Sequence, residues 1–321
     1  MTFHVLVPDG VDQKAVDILN AVEEFTVTAP GNMSREETLA AIPDADALII
    51  RSSTTADAEL LNVATRLKAI ARAGVGVDNV DLDVATQNGV IVMNTPDGNT
   101  ISTAEYTFGL MLALARHIPQ NFVTMQQGLW DRKSFMGIEL KGKTLGIIGF
   151  GRIGRAIAKR ALAFEMTVLA YDPYIPANAV AELGAKSVSL DTLYAESDFI
   201  TLHSVITDET REMINANSIG KMKKGVRILN AARGALINDQ DLAEAIKSGQ
   251  VAGAALDVYH QEPPPADHPL IGLKNVIHTS HLAASTSDAQ INVGIDAANL
   301  IINALCQGEY ENIVNPLVLE K

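Results

Sequence analysis

The chain of 321 residues is poor in cysteine, in aromatic side chains and in positive charge. Its one cysteine, Cys306, excludes an internal disulfide and fits a reducing compartment. The net charge of −13 argues against nucleic acid or an anionic membrane as a partner. The longest apolar stretch, Phe108–Ala115, is too short to span a bilayer, and no signal-peptide pattern opens the chain. We therefore expect a location in the cytoplasm, with no membrane and no nucleic acid as partner.

The length and the hydrophobic content of 47% predict two domains, each with a sizeable core. Short apolar runs alternate with helical patterns along the chain, which is typical of parallel sheets covered by helices. The predicted strands of the first part are Phe3–Val7, Phe25–Thr28, Ala47–Ile50, Leu67–Ala71 and Val90–Met93. Six more are predicted in one domain over residues 143–281, at Thr144–Ile148, Met166–Ala170, Phe199–His203, Val226–Asn230, Gly253–Val258 and Asn275–Thr279. The predicted fold class is α/β, with two doubly wound parallel-sheet domains.

Two stretches have the pattern of a capping box that opens a helix, Ser34–Glu37 and Ser102–Glu105. The second predicted helix runs to about Arg116 and is apolar on nearly every side. Two interpretations stay open for it: an ordinary core helix, or a helix buried between domains and in a subunit interface.

The strongest single motif is Gly149-Phe150-Gly151-Arg152-Ile153-Gly154, which lies between a buried strand and a helical pattern. The first glycine allows a tight turn, the second lets backbone amides approach a pyrophosphate, and the third lets the helix pack on the strand. A second buried strand then ends at Asp172, whose carboxylate can accept hydrogen bonds from both ribose hydroxyls of NAD and would repel the 2′-phosphate of NADP. This βαβ unit predicts NAD binding.

Open α/β sheets bind their ligands beyond the carboxyl ends of their strands. In the second domain, a functional or small polar group follows each predicted strand at that end. These groups are the glycine loop, Asp172, Ser204, Arg233, Asp257 and His281.

Three charged residues that follow these strands can each be interpreted in two ways, as an ordinary structural or surface residue or as a functional one. Arg233 is either a surface loop residue or a bidentate clamp on a carboxylate. His281 is either structural or a proton carrier opposite a nicotinamide. Glu262 is either a solvated loop residue or, held by the prolines behind it, a partner that favours the imidazolium form of His281. His278 and His281 point to opposite faces of a strand, so we predict no metal site.

Several separated motifs resemble those of the NAD-dependent D-isomer specific 2-hydroxyacid dehydrogenases. They are Gly149–Gly154 with Asp172, Asn230–Gly234, Ala254–Val258, Glu262–Pro264 and His281–Thr286. Within that family, the branch that oxidises D-3-phosphoglycerate is most similar at Arg72–Asp81, Met93–Pro96 and Trp130–Gly154. The resemblance implies a flavodoxin-like substrate domain, residues 1–98 plus 286–321, and a Rossmann NAD-binding domain, residues 99–285.

The resemblance also implies roles for named residues. Arg233 would hold the substrate carboxylate and carbonyl, and His281, paired with Glu262, would exchange a proton with the 2-oxygen. Backbone at Val75 and Gly76 would receive the carboxylate, while Arg51 and Asn99 would bind a substrate phosphate. The residues expected at the cofactor, from motif and resemblance together, are Gly149, Gly151, Arg152, Ile153, Gly154, Asp172, Ser204, Ala231, Ala232, Asp257 and Ala284. A homodimer or a higher homo-oligomer is expected.

For function, the resemblance implies an oxidoreductase that moves a hydride between NAD and a D-2-hydroxy acid. The leading reaction is oxidation of 3-phosphoglycerate to 3-phosphohydroxypyruvate, in serine biosynthesis. One alternative keeps the chemistry and acts on glyoxylate, hydroxypyruvate or another 2-hydroxy acid; a more remote one is an NAD-sensing binding protein, in which the same three charged residues also occur. Longer phosphoglycerate-oxidising relatives carry serine-binding C-terminal domains, and since the sequence stops at Lys321 we expect no serine feedback through such a domain.

Overall fold

The structure, a computed structural model, describes residues 2–320. It divides into two compact units, one formed by Met1–Asn99 with Ser285–Lys321 and the other by Thr100–Ala284. The strands are β1 (Phe3–Leu6), β2 (Phe25–Thr28), β3 (Ala47–Ile50), β4 (Ala69–Arg72), β5 (Ile91–Asn94), β6 (Thr144–Ile148), β7 (Thr167–Tyr171), β8 (Lys186–Ser187), β9 (Phe199–Leu202), β10 (Val226–Asn230), β11 (Val251–Leu256) and β12 (Val276–His278). The helices are α1 (Gln13–Asn20), α2 (Arg35–Ala41), α3 (Ala58–Val63), α4 (Leu82–Gln87), α5 (Thr100–Arg116), α6 (Ile118–Gln126), α7 (Arg152–Ala163), α8 (Ala177–Ala181), α9 (Leu190–Glu196), α10 (Ala216–Gly220), α11 (Asp239–Ser248) and α12 (Ser287–Ile302).

The first unit is built on a five-stranded sheet in the order β2-β1-β3-β4-β5, with every strand pair parallel. This is the flavodoxin-like order, and the predicted doubly wound domain is confirmed. Apolar side chains of α1 and α12 fill the core on one face, and those of α3 and α4 fill it on the other. The chain reverses its winding between β1 and β3, which places a ligand crevice at the ends of those two strands.

The second unit has a seven-stranded parallel sheet in the order β12-β11-β10-β9-β6-β7-β8. The helices α5 and α7 cover one face, and α9, α10 and α11 cover the other. The prediction of six strands is wrong by one, because the edge strand β8 is two exposed residues with no apolar pattern. Winding reverses between β6 and β9, the Rossmann switch point.

Of the two predicted capping boxes, one is confirmed and one is wrong. Ser34 accepts a hydrogen bond from the backbone of Glu37 at 3.2 Å, and the Glu37 carboxylate accepts one from Ser34 at 2.7 Å. Ser102–Glu105 does not cap a helix, because α5 already begins at Thr100 and includes these residues. The α5 helix packs on α7 and on β10, β11 and β12, as a core helix of this unit.

By length and composition, one described segment, Ser287–Gln307, could cross a membrane. It comprises α12 and a following π turn, which is capped by Gly308 in the left-handed region. Of its most apolar window, 44% is buried inside the protein, and α12 packs against α1 and β4. These contacts are typical of a core helix.

Candidate active site

The glycine loop after β6 leaves room for a ligand at one glycine and packs tightly at another. A Cβ atom added to Gly151 would meet no atom within 4 Å, whereas one on Gly154 would lie 2.2 Å from the carbonyl oxygen of Gly149. Gly149 itself has a φ of +91°, which L side chains rarely adopt. The loop therefore turns at Gly149, is open at Gly151 where α7 begins, and brings α7 against β6 at Gly154. This arrangement fits a pyrophosphate at the helix N-terminus.

Asp172 follows β7 directly, and its carboxylate supports the glycine loop. Its Oδ2 accepts a hydrogen bond from the backbone N–H of Phe150 at 2.7 Å, and its Oδ1 accepts one from Tyr174 at 2.9 Å. Each carboxylate oxygen keeps further acceptor capacity for a ribose hydroxyl. The carboxylate thus lies beside the loop predicted to bind the pyrophosphate.

The loop after β10 carries Ala231, Ala232 and Arg233, and the buried Asn230 holds it. The Asn230 amide donates to the carbonyl oxygen of Arg233 at 2.8 Å and accepts from the N–H of Ala232 at 3.0 Å. A Cβ atom on Gly234 would lie 2.0 Å from the carbonyl carbon of Tyr259, so the loops after β10 and β11 touch here.

Glu262 and His281 form a close pair on the loops after β11 and β12. Nδ1 of His281 lies 2.7 Å from Oε2 of Glu262, and the backbone N–H of Tyr259 donates to Oε1 at 3.1 Å. The side chains are 50% and 37% exposed, so solvent and small molecules reach both. They also line a pocket of about 480 Å³ together with Pro263 and Ile271. Because Nδ1 of His281 contacts Glu262, Nε2 is the ring nitrogen that remains available to a substrate.

Asp257 directly follows β11 and is fully buried, beneath the loop that carries His281. Its Oδ1 accepts from the hydroxyl of Thr279 at 2.6 Å and from the N–H of Leu282 at 2.9 Å, and its Oδ2 accepts from Ala283 at 2.8 Å. Its carbonyl oxygen accepts from the N–H of His281 at 2.8 Å. Sequence reasoning found Asp257 but missed these contacts.

The other predicted cofactor positions lie at the same edge of this sheet or on the adjoining helix. Arg152 and Ile153 open α7, Ser204 lies in the loop after β9, and Ala284 follows the His281 loop. The Ser204 hydroxyl contacts the sulfur of Met213 at 4.0 Å.

Burial shifts the proton affinity of two groups beside these loops. It raises the pKa of Tyr259 to about 12, with the nearby Asp257 charge adding to the effect. The hydroxyl therefore stays protonated and donates to the carbonyl oxygen of Thr279 at 3.2 Å. Burial also lowers the pKa of His203, just after β9, to about 3. Part of that residue is exposed, but its Nδ1 is buried and Nε2 lies 2.8 Å from the Thr201 hydroxyl.

In the first unit, Arg51 lies after β3 at the switch point beside β1. The buried carboxylate of Asp9 accepts from the N–H of Arg51 at 2.6 Å and from the Thr54 hydroxyl at 2.6 Å. The Asn79 amide donates to the carbonyl oxygens of Arg51 and Thr54. Sequence reasoning missed Asp9 and Asn79. Asp9 follows the predicted strand Phe3–Val7 after one proline. The expectation that ligand-binding residues follow strand ends could therefore have identified it.

The loop after β4 presents backbone donors. Within residues 2–320, the N–H groups of Val75 and Gly76 have no protein acceptor. The Asn94 amide fixes the loop by donating to the carbonyl oxygen of Val75 at 2.6 Å. The Oδ1 atom of Asn99 is buried without a hydrogen-bond partner in this described part of the chain. Within the described residues, the N–H groups of Val75 and Gly76 thus remain available as donors for a ligand.

The two histidines considered for a metal have other partners. His278 contacts the Tyr259 hydroxyl and the carbonyl oxygen of Leu270, while His281 contacts Glu262. Among the described residues, no three His, Cys, Asp or Glu side chains are placed to hold a metal ion.

Comparisons with known proteins agree with this geometry. The family model described as "D-isomer specific 2-hydroxyacid dehydrogenase, NAD binding domain" matches residues 108–283. D-3-phosphoglycerate dehydrogenase of Archaeoglobus fulgidus is 50% identical over 97% of this chain, which spans only 59% of that relative's length. Hydroxypyruvate reductase of Thermotoga maritima is 45% identical over 94% of this chain and 98% of its own. The crystal structure of the TT0316 protein from Thermus thermophilus has a TM-score of 0.87 and 35% identity, over 97% and 99% of the two chains.

The second unit has the fold and the glycine loop of a dinucleotide-binding domain, and the family model that it matches describes an NAD-binding domain. The chain belongs to the D-isomer specific 2-hydroxyacid dehydrogenase family, as its resemblance predicted.

Proposed function

We propose that the protein oxidises a D-2-hydroxy acid with NAD, and that D-3-phosphoglycerate is its leading substrate, giving 3-phosphohydroxypyruvate. The observation that carries the chemistry is the 2.7 Å contact between His281 and Glu262, after a strand of the sheet that also bears the glycine loop. An imidazole held by a carboxylate at the rim of a nucleotide-binding sheet is suited to moving a proton.

In this proposal, Nε2 of His281 takes the proton of the substrate 2-hydroxyl while the 2-carbon becomes a carbonyl. NAD, when bound at the glycine loop, would supply the acceptor for the hydride from the 2-carbon. Glu262 keeps the imidazole in position through Nδ1 and stabilises the imidazolium that forms. Arg233, on the loop after β10, orients the substrate by pairing with its carboxylate.

The cofactor residues follow from the fit of the glycine loop. Gly149, Gly151 and Gly154 allow the pyrophosphate to approach, and Arg152, Ile153, Ser204, Ala231, Ala232, Asp257 and Ala284 are proposed to line the rest of the nucleotide. Asp172 accepts hydrogen bonds from the ribose hydroxyls, and its negative charge repels the 2′-phosphate of NADP.

The substrate assignment depends on the first unit. Arg51 and Asn99 are proposed to bind the phosphate, and the unpaired N–H groups of Val75 and Gly76 to receive the carboxylate. The relative from A. fulgidus, which is named for this substrate, supports the assignment at 50% identity. The proposal places the reaction in serine biosynthesis.

A second candidate keeps the chemistry and changes the substrate to hydroxypyruvate or glyoxylate. The T. maritima hydroxypyruvate reductase favours it, because that relative and this chain match over nearly their whole lengths. These acids carry no phosphate, so this activity would not need Arg51. An NAD-sensing binding protein is the remaining alternative.

We also propose a homodimer or higher homo-oligomer located in the cytoplasm. Support comes from apolar side chains exposed on α6, of which Phe122 is 61% exposed, and from Trp130 nearby in sequence, which is 78% exposed. The single cysteine, Cys306, fits a reducing compartment.

The test is NADH oxidation measured in parallel with 3-phosphohydroxypyruvate, hydroxypyruvate and glyoxylate. We expect the phosphorylated acid to have the highest kcat/KM. Arg51→Ala should lower kcat/KM for it by about 10-fold or more, the scale of one lost charged contact, and leave the other two acids nearly unchanged. Arg66→Ala is the matched control, since it removes an arginine of the same unit that lies before β4 and pairs with Asp46.

His281→Ala should lower turnover of every substrate by about 100-fold or more while NADH still binds. If Arg51→Ala leaves the phosphorylated acid unaffected, the phosphate assignment fails and the hydroxypyruvate reading replaces it. If none of the three acids is reduced although NADH binds, the protein is an NAD-sensing binding protein instead.

A further inference from the structure

Three consecutive backbone N–H groups, those of His281, Leu282 and Ala283, all donate to one residue. They reach the carbonyl oxygen, Oδ1 and Oδ2 of Asp257 at 2.8, 2.9 and 2.8 Å. The hydroxyl of Thr279 adds a fourth hydrogen bond, to Oδ1 at 2.6 Å. Asp257 therefore contacts the loop on both sides of His281 and at His281 itself.

The conformation of His281 explains why the loop needs such support. Its φ is +55°, in the left-handed region that residues other than glycine seldom occupy. A residue held there is strained, and persists only where its surroundings impose the conformation. The hydrogen bonds from Leu282 and Ala283 fix the backbone immediately after His281, and that from Thr279 fixes it before.

A carboxylate is suited to this role because it only accepts hydrogen bonds. Asp257 is fully buried, so the three donors that reach its carboxylate, from Thr279, Leu282 and Ala283, replace the water that this group would otherwise require. Asparagine at the same position would turn a donating NH₂ group towards an N–H donor of the loop. The charge and both oxygens of Asp257 are thus used within the protein.

We infer that Asp257 is a positioning residue for His281, in addition to any contact it makes with the cofactor. It holds the His281 backbone so that the imidazole stays 2.7 Å from Glu262, whose other oxygen is fixed by the N–H of Tyr259. The inference rests on the proposed role of His281 as the proton carrier. Its structural part, that Asp257 anchors the loop, can be tested without turnover.

Thr279→Val is the sharpest test, because it removes one hydrogen bond to Asp257 with little change of shape and leaves the Asp257 carboxylate in place. We expect kcat to fall by about 10-fold, since small displacements of a catalytic group are costly, while the dissociation constant of NADH changes less than about 2-fold. In the His281→Ala background, Thr279→Val should have no further effect, because its influence passes through His281.

Asp257→Asn supplies a second variant. We expect a larger loss of kcat at saturating NADH than Thr279→Val causes. Amide hydrogen exchange of His281, Leu282 and Ala283 should speed up in both variants, and this readout needs no substrate. Thr107→Val is the matched control, since it also removes a buried hydroxyl, one that donates to the carbonyl oxygen of Thr103 within α5. It should alter neither kcat nor this exchange.

Two results would overturn the inference. One is an unchanged kcat in Thr279→Val, or an equal loss with and without His281. The other is an Asp257→Asn variant that binds NADH weakly but has normal kcat at saturation and normal exchange at residues 281–283, which would make Asp257 a cofactor contact only. If no 2-oxo acid is reduced at all, the proposed function fails, while the exchange data still decide whether Asp257 anchors the loop.

Discussion

At the scale of single residues, aspartates just beyond strand ends hold the loops of both units. Asp9 accepts from the backbone of Arg51, Asp172 from that of Phe150, and Asp257 from that of Leu282. Sequence reasoning reached Asp172 and Asp257 as ligand contacts, because residue type and strand position can be read from a pattern. It could not find their loop contacts, since those join residues far apart in sequence through the fold.

His203, whose Nδ1 is buried, predicts how acid affects stability. The pKa of His203 falls from 6.5 to about 3 on folding, so between these values the unfolded chain binds a proton that the folded one does not. The free energy of unfolding should therefore fall as pH falls through that window, by up to about 1.4 kcal/mol per unit from this residue. Urea unfolding at pH 7 and at pH 5 measures how much free energy of unfolding each protein loses on acidification. The loss in His203→Gln should be smaller than the loss in the wild type by about 2 kcal/mol. Equal losses in both proteins would contradict the assignment.

At the scale of elements, buried strands were the most predictable part. Ala47–Ile50, Thr144–Ile148 and Val226–Asn230 are observed with the predicted bounds, because mostly apolar, buried runs leave few alternatives. Phe25–Thr28 also has its predicted bounds, although no residue of this strand is fully buried. The exposed strand β8 has no such signal. The start of α5 was also misjudged, since the local pattern at Ser102 suits a helix start and a position within a helix equally well.

Two glycines of the loop after β6 should separate packing from ligand binding. Gly154→Ala would place a Cβ atom 2.2 Å from the Gly149 carbonyl oxygen, so α7 or the loop must move. We expect the free energy of unfolding to fall by about 2 kcal/mol, the usual cost of overpacking. Gly151→Ala meets no protein atom within 4 Å and should cost about 1 kcal/mol or less, as a changed helix cap.

The same pair should differ in NADH binding. In Gly151→Ala the added methyl group occupies space proposed for the pyrophosphate, and the affinity should fall by about 10-fold, or 1.4 kcal/mol. Unfolding experiments measure the change in the free energy of unfolding, and fluorescence titration measures the change in NADH affinity. Unchanged NADH affinity in Gly151→Ala would mean that the pyrophosphate does not approach this loop.

At the scale of the whole molecule, an excess of negative charge accompanies apolar side chains exposed on α6. Ile118, Phe122 and Val123 are each more than half exposed, which is unusual for three neighbours on a helix of nine residues. Sequence reasoning predicted self-association but not this helix, because none of its residues is buried and it therefore has no apolar stripe that faces a core.

Light scattering should find a mass of at least twice 34.2 kDa for the chain in solution. Phe122→Asp should weaken the association at micromolar concentration, because it places a charge in the apolar patch. Leu317→Asp is the matched control, since Leu317 is an apolar residue that is 63% exposed in the other unit. Equal masses for all three proteins, or a monomeric wild type, would contradict the role given to α6.

The proposed proton carrier His281, its partner Glu262 and the residues that support them occupy one continuous stretch. Asp257, Tyr259, Glu262, Thr279 and His281 all lie between the end of β11 and residue 283, and their mutual hydrogen bonds need no other segment. The stretch is therefore a candidate for grafting: moved as a block onto the last two strands of another nucleotide-binding sheet, it would carry a proton carrier with its own scaffold. For enzyme design, it would be a transplantable module rather than a scattered set of side chains.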